Sequence, residues 1–312
     1  MTRILALAGR KQSGKNTAYN FMLGVTLLRL SVVRGSIEIK DDGNLFVSDL
    51  FGDEELGGIA RFVNDRSEKI DYFNNTYVYP FIRNYSFADL LKQSVCMDLL
   101  GLSWEQCYGT DEQKNSPTHL RWEDMPGVVT RQSNIRALAE DWQRIKESKH
   151  LPDDSPELPV IGRLGKYYTR IGDIVCHEPG PMTGREVMQF AGTEIFRKMY
   201  HNVWAESTVR RIQKDESKFA VITDCRFPNE VEAVQKAGGK VIRFTRNPHP
   251  EDTHESETAL DQENFDWGKF DAVIDNSNMT ISDQNGALHH ALEEFGWGDL
   301  IKIDMPVKEL VK

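Results

Sequence analysis

Gly9-Arg10-Lys11-Gln12-Ser13-Gly14-Lys15-Asn16-Thr17 stands between an apolar run, Ile4-Leu5-Ala6-Leu7-Ala8, and a helix-forming stretch, Thr17-Ala18-Tyr19-Asn20-Phe21-Met22-Leu23. Strand, Gly-x4-Gly-Lys loop and helix in that order describe a phosphate cradle. Glycines let the loop wrap so that successive backbone N–H groups converge on phosphate oxygens. The N-terminus of the following helix adds partial positive charge. Lys15 is spaced to reach the β- and γ-phosphates of a nucleoside triphosphate. One position departs from the pattern: a Ser or Thr that would ligate magnesium is expected straight after the lysine, and Asn16 stands there with Thr17 behind it.

Outward from the loop, three further apolar runs read as buried parallel strands. Phe219–Thr223 ends at Asp224, Lys240–Thr245 ends at Arg246, and Ala272–Ile274 ends at Asp275-Asn276. Asn229 is expected to cap a helix over Glu230–Ala237, which Gly238-Gly239 would end. Apolar spacing at Ala287, Leu288, Ala291, Leu292 and Phe295 predicts another helix. Strands alternating with helices imply an α/β fold, a doubly wound parallel sheet flanked by helices. We expect one domain over 1–312 with two insertions. Residues 31–83 read as β-rich, with turn signals such as Asp41-Asp42-Gly43-Asn44; residues 121–182 read as a charged helix (Asn134–Lys149), a Pro-rich link (Pro152–Pro159) and Gly-rich loop, partly mobile.

Composition narrows the class. No apolar run approaches the ~20 residues of a membrane span, and the N-terminus begins a strand rather than a signal sequence. Four dispersed cysteines, Cys96, Cys107, Cys176 and Cys225, give no metal or disulfide framework and suit a reducing compartment. A net charge of −10 argues against a polynucleotide partner. His254-Glu255-Ser256-Glu257 opens like a zincin helix, but Thr258 stands where the second histidine is required. No Asn-Lys-x-Asp guanine reader and no Gly-x-Gly-x-x-Gly dinucleotide fingerprint occurs.

Ligands of open α/β folds sit at the carboxyl ends of the strands. Asp224 occupies such a place, where an acidic residue holds magnesium directly or through water. The loop after it, Asp224-Cys225-Arg226-Phe227-Pro228-Asn229-Glu230, adds Arg226 and Glu230 on the same edge. Arg246 follows a strand, and Arg185 and Arg197 flank the helical stretch Thr183–Arg197. Planar guanidinium forks match phosphate oxygens, and phosphoryl transfer needs placed cations and excluded water.

These segments together resemble the phage-type deoxynucleoside monophosphate kinases, a branch of the P-loop nucleoside monophosphate kinases. The resemblance rests on Gly9–Thr17, Ser86-Phe87-Ala88-Asp89-Leu90-Leu91-Lys92, Lys114-Asn115 with Trp122, Gly184-Arg185-Glu186 through Gln189, Gly192-Thr193 and Arg197, the Asp224–Glu230 loop, and Arg246 followed by His254–Glu257. It implies ATP- and Mg2+-dependent phosphorylation of a deoxynucleoside monophosphate to the diphosphate. Gly9, Ser13, Gly14, Lys15, Asn16 and Thr17 would bind ATP, with Asn276 near the adenine. Thr17 and Asp224 would position Mg2+. Asp89, Lys92, Arg185, Gln189, Arg226 and Glu230 would bind the acceptor, and Lys15, Arg185, Arg226 and Arg246 would act in catalysis. Arg246 and the segment through Glu257 would close as a lid that excludes water. The resemblance also implies small-molecule substrates, a cytoplasmic setting (the host cytoplasm for a viral source) and a homodimer. Two other readings fit the loop: a P-loop kinase of another small acceptor or a modified pyrimidine nucleotide, and a non-catalytic nucleotide-binding switch.

Overall fold

Arg3–Ala8 (β1) is an almost wholly apolar hexapeptide, and all but its first residue are buried. A strand apolar on both faces has to lie inside a covered parallel sheet. In the computed structural model, residues 2–48, 60–61, 74–130, 169–171, 174–251 and 255–300 are described, with scattered helical positions between 134 and 147. Strand β1 sits at the centre of a five-stranded sheet with Ile82–Tyr85 (β2), Phe219–Cys225 (β3), Lys240–Phe244 (β4) and Ala272–Ile274 (β5), in the order β5-β4-β1-β3-β2. Every pairing is parallel, with Leu5 opposite Val221 on one side and Lys240 on the other.

Helices cover both faces. Lys15–Arg29 (α1) and Ile281–Glu294 (α4) bury Phe21, Met22, Leu27, Leu288 and Leu292 against one side of the sheet. Val203–Asp215 (α2) and Pro228–Lys236 (α3) bury Ala205, Ile212, Val231 and Val234 against the other. Pro228 opens α3 at its first helical position, where a missing N–H is harmless. Asn229, expected as the cap, lies inside that first turn and donates to Asn202 Oδ1 at 3.2 Å. Strand β3 runs through Cys225, so Asp224 belongs to its last residues.

The chain divides into two compact units, Met1–Ala88 with Asn202–Lys312, and Asp89–His201. The first contains the five-stranded sheet and an antiparallel sheet of Ile37–Ile39, Leu45–Val47 and Ala60–Arg61. The second packs Cys96, Cys107, Trp122, Met182 and Phe190 into its own core. It pairs Pro117–Arg121 with Pro181–Thr183, and Ile174–Cys176 with Val128–Val129 and Thr169–Ile171. The Pro152–Pro159 link and His254 lie outside the described residues. Among the described residues no helix is long and apolar enough to cross a membrane.

Candidate active site

The loop turns where its sequence requires. Gly14 adopts φ 97°, and a Cβ there would come within 2.3 Å of Gln284 Oε1. Left-handed backbone together with that approach leaves glycine as the residue that fits. Helix α1 begins at the next residue, Lys15. The Lys15 ammonium folds over the loop, donating to Gly9 O at 2.7 Å, Arg10 O at 2.6 Å and Ser13 Oγ at 3.3 Å. Burial, reinforced by the Arg226 and Arg243 guanidiniums and opposed by Asp224, pulls its pKa down to about 7. Asn16 is exposed and Thr17 half-buried. The Asp41–Asn44 turn packs on this first helical turn: Asn20 Nδ2 donates to Gly43 O at 2.8 Å, and a Cβ on Gly43 (φ 78°) would meet Thr17 Oγ1 at 2.3 Å.

Beneath the loop lies Asn276, completely buried. Its Nδ2 donates to Ser13 O at 2.7 Å and Gln284 Oε1 at 2.6 Å, and its Oδ1 accepts from Arg246 N at 2.9 Å. Gln284 Nε2 in turn donates to Gly14 O at 3.2 Å. Asn276, expected near the adenine, is therefore a brace of the loop, since a fully buried amide presents no surface to a base. Arg246 is drawn into the same knot, its Nε donating to Asn276 O at 3.1 Å and its terminal nitrogen to Met279 O at 2.6 Å.

At the end of β3, Asp224 Oδ1 accepts from Phe87 N at 2.9 Å, while Oδ2 accepts from the Ser86 hydroxyl and from Ala88 N at 3.4 Å. The carboxylate thereby ties the end of β3 to the chain leaving β2. Among the described residues no group of three or more His, Cys, Asp or Glu is arranged as a metal cage. Mg2+ needs none: it binds through one or two carboxylates, several waters and substrate phosphates. A carboxylate offers about four lone-pair sites; Asp224 uses three here, so it keeps acceptor capacity toward a phosphate-borne Mg2+ or its water.

Glu230, expected to face the acceptor, is only 4% exposed and accepts from Arg226 N at 2.8 Å and Phe227 N at 3.1 Å. It is the third residue of α3 reaching back to the helix start, a capping contact. Arg226 is half-buried and pairs with Glu257. Glu257 also accepts from the loop's Lys11 N at 2.6 Å through its second oxygen. Four residues on, Asp261 pairs with Arg10 of the loop at 2.5 Å and with Arg243 of β4 at 3.1 Å. Arg243 is 4% exposed and stacks over Trp267. Sequence reasoning passed over Arg10, Arg243 and Asp261. The signal for Arg243 was a charge inside the apolar strand Lys-Val-Ile-Arg-Phe, because a buried charge persists only when partnered.

The second unit holds the other candidates. Tyr108 OH donates to Asp89 Oδ1 at 3.2 Å, and Lys92 Nζ lies 4.7 Å from the Tyr108 ring centre. Leu91–Leu99, which carries Lys92, winds in wide π-type turns, as does Phe190–Arg197 after Gln189. Helix Gly184–Gln189 is started by Thr183, whose hydroxyl accepts from Glu186 N while the Glu186 carboxylate accepts from Thr183 N. Arg185 pairs with Asp111 at 2.5 Å. Its Nε and the Gln189 Oε1, one turn apart, are buried with no hydrogen-bond partner among the described residues. Behind the helix, His177 stacks on the fully buried Trp122 with ring centres 4.3 Å apart, and its Nε2 lies 3.7 Å from Glu186.

The deoxynucleoside-5'-monophosphate kinase of Escherichia phage T5 is 42% identical over 53 residues, 17% of this chain and 21% of that protein. The match thus spans about a fifth of the relative's length. A family model for deoxynucleotide monophosphate kinase matches residues 60–283, which include Asp89, Arg185, Asp224, Arg226 and Asn276; the glycine-rich loop precedes the matched span. Since that span is well over half of the chain, the protein belongs to the deoxynucleotide monophosphate kinase family.

Proposed function

We propose that the chain transfers the γ-phosphoryl group of ATP to a deoxynucleoside monophosphate, giving ADP and the deoxynucleoside diphosphate. The observation that carries this reading is the loop at the head of α1, with Lys15 buried above it and Arg226 and Arg243 close enough to depress its pKa. A cluster of crowded cations at a helix N-terminus is stabilised by a polyanion.

An acceptor phosphate oxygen attacks the γ-phosphorus as the bond to the β–γ bridging oxygen breaks, and ADP leaves with that electron pair. The attacking oxygen is already anionic, so no protein base is required. Loop N–H groups and Lys15 hold the β- and γ-phosphates. Arg226 binds the acceptor phosphate. Within the second unit taken by itself, Arg185, Gln189 and Lys92 are the residues the resemblance assigns to the acceptor, and the Asp89 carboxylate orients Tyr108. Thr17 and Asp224 would position Mg2+, whose chemistry there would be to neutralise charge on the β- and γ-phosphates.

The same reading makes the partners small molecules. A net charge of −10 disfavours a stable nucleic-acid partner, and four free, buried cysteines favour a reducing cytoplasm. Homodimer formation follows from the resemblance and is tested by sedimentation. For the reaction, the protein is incubated with ATP, Mg2+ and each deoxynucleoside monophosphate in turn. ADP and deoxynucleoside diphosphate formed in equal amounts support the proposal. ATP binding without any diphosphate product contradicts it.

A further inference from the structure

The short helix Glu255–Thr258 and the turn that follows it lie far along the chain from the phosphate loop, yet they are bonded to that loop at two points. Glu257 is 8% exposed and divides its carboxylate, one oxygen accepting from Lys11 N at 2.6 Å, the other pairing with Arg226. Asp261 divides its own between Arg10 and Arg243. Lys11 precedes Gln12, which takes a left-handed φ of 59°. That conformation costs a non-glycine residue about 1 kcal/mol and persists only where neighbours over-determine it.

Phosphate loops generally aim their N–H groups at the ligand. Here the Lys11 N–H is spent on a protein carboxylate, and the same carboxylate fixes the guanidinium proposed to hold the acceptor phosphate. A flexible arginine contributes to transfer only when held within a fraction of an ångström of its productive position. Arg10, Lys15, Arg226 and Arg243 also repel one another, and Glu257 with Asp261 offsets that repulsion while leaving the cations in place.

Building on the proposed reaction, we infer that Glu257 is a positioning residue that couples the donor loop to the acceptor-phosphate arginine, with Asp261 supporting it through Arg10 and Arg243. Glu257 touches neither substrate. It sets the loop and Arg226 at a fixed mutual geometry, so its removal lowers the rate of transfer more than the affinity for ATP.

The test uses the full chain and its Glu257→Gln and Glu257→Asp variants. Three readouts are taken: kcat with saturating substrates, the ATP Kd by calorimetry without acceptor, and amide exchange of residues 8–14 by mass spectrometry. For Glu257→Gln, kcat falls about tenfold or more while the ATP Kd moves less than about threefold. The loop amides exchange about tenfold faster because Lys11 N loses its charged acceptor. Glu257→Asp, shorter but charged, falls between, and it serves alone if the Gln variant does not fold. A kcat within twofold of wild type, unchanged loop exchange, or a kcat loss matched by the same loss of ATP affinity overturns the inference. If wild type transfers nothing to any acceptor, the proposed reaction fails on its own. Loop exchange then still decides whether Glu257 holds the loop.

Discussion

Asn276 Nδ2 donates to the carbonyl oxygen of Ser13 at 2.7 Å, joining the chain after β5 to the middle of the phosphate loop. Both residues are fully buried. The loop is thus propped from below by a neutral amide, whose remaining groups bind Gln284 and the Arg246 backbone. Replacing Asn276 by Ala strands Ser13 O and Arg246 N without partners, each a desolvated backbone group. Asn276→Ala therefore loses about 1–3 kcal/mol of stability and weakens ATP binding, read by thermal unfolding and calorimetry. Unchanged ATP affinity would separate the brace from the site.

Lys15 provides a proton-linked signature. Its pKa stands near 7 in the folded chain against 10.5 in the unfolded one. Between those values the unfolded state binds more protons, so the Lys15 contribution to stability rises with pH across that window. ATP phosphates favour the ammonium form and push the pKa back up. At pH ~8, ATP binding therefore takes up close to one proton, and at pH ~6 almost none. Calorimetry in two buffers of different ionisation enthalpy measures the uptake. Lys15→Met abolishes it, and buffer-independent heats in the wild type would contradict the assignment.

His177 behaves in the opposite sense. Burial lowers its pKa, but hydrogen bonds to Glu186 and to the Glu178 carbonyl outweigh burial, and the net shift is upward. Its contribution to stability is fully present below the unfolded value of about 6.5 and is lost as pH rises through the folded pKa. His177→Phe keeps a ring against Trp122 without the charge. The difference in Tm between wild type and variant shrinks from pH 6 to pH 8.5, and a pH-independent difference refutes the linkage.

Arg226 is assigned to the acceptor. Arg226→Ala raises the acceptor KM about tenfold or more while ATP affinity without acceptor stays within about threefold. An unchanged acceptor KM removes Arg226 from that role.

The parts of the fold legible in the sequence are those whose residues have one physical solution. Ile4–Ala8, Phe219–Ile222 and Ala272–Ile274 are apolar runs bounded by polar residues, and each is a strand of the parallel sheet. Ile82–Tyr85 was hidden because an edge strand is partly exposed and reads Ile-Arg-Asn-Tyr. Strands such as Pro117–Arg121 alternate exposed and half-buried residues and leave no apolar signature. In the site, the loop was visible because Gly14 and Lys15 are local requirements. Glu257 was noticed only as the end of an expected lid segment and Asp261 not at all, because their partners Lys11 and Arg10 lie about 250 residues away in sequence, and pairing over such distances is set by the fold alone. Asn276 and Glu230 were noticed for their positions at strand ends and turned out to face inward.

The central claim is that the loop delivers a phosphoryl group to a deoxynucleoside monophosphate. The most direct measurement compares wild type with Lys15→Ala in a single assay: deoxynucleoside diphosphate formed from ATP, with circular dichroism confirming that both are folded. Lys15→Ala should retain the fold and lose transfer by about a thousandfold or more. A folded Lys15→Ala variant that keeps most of its turnover would contradict it.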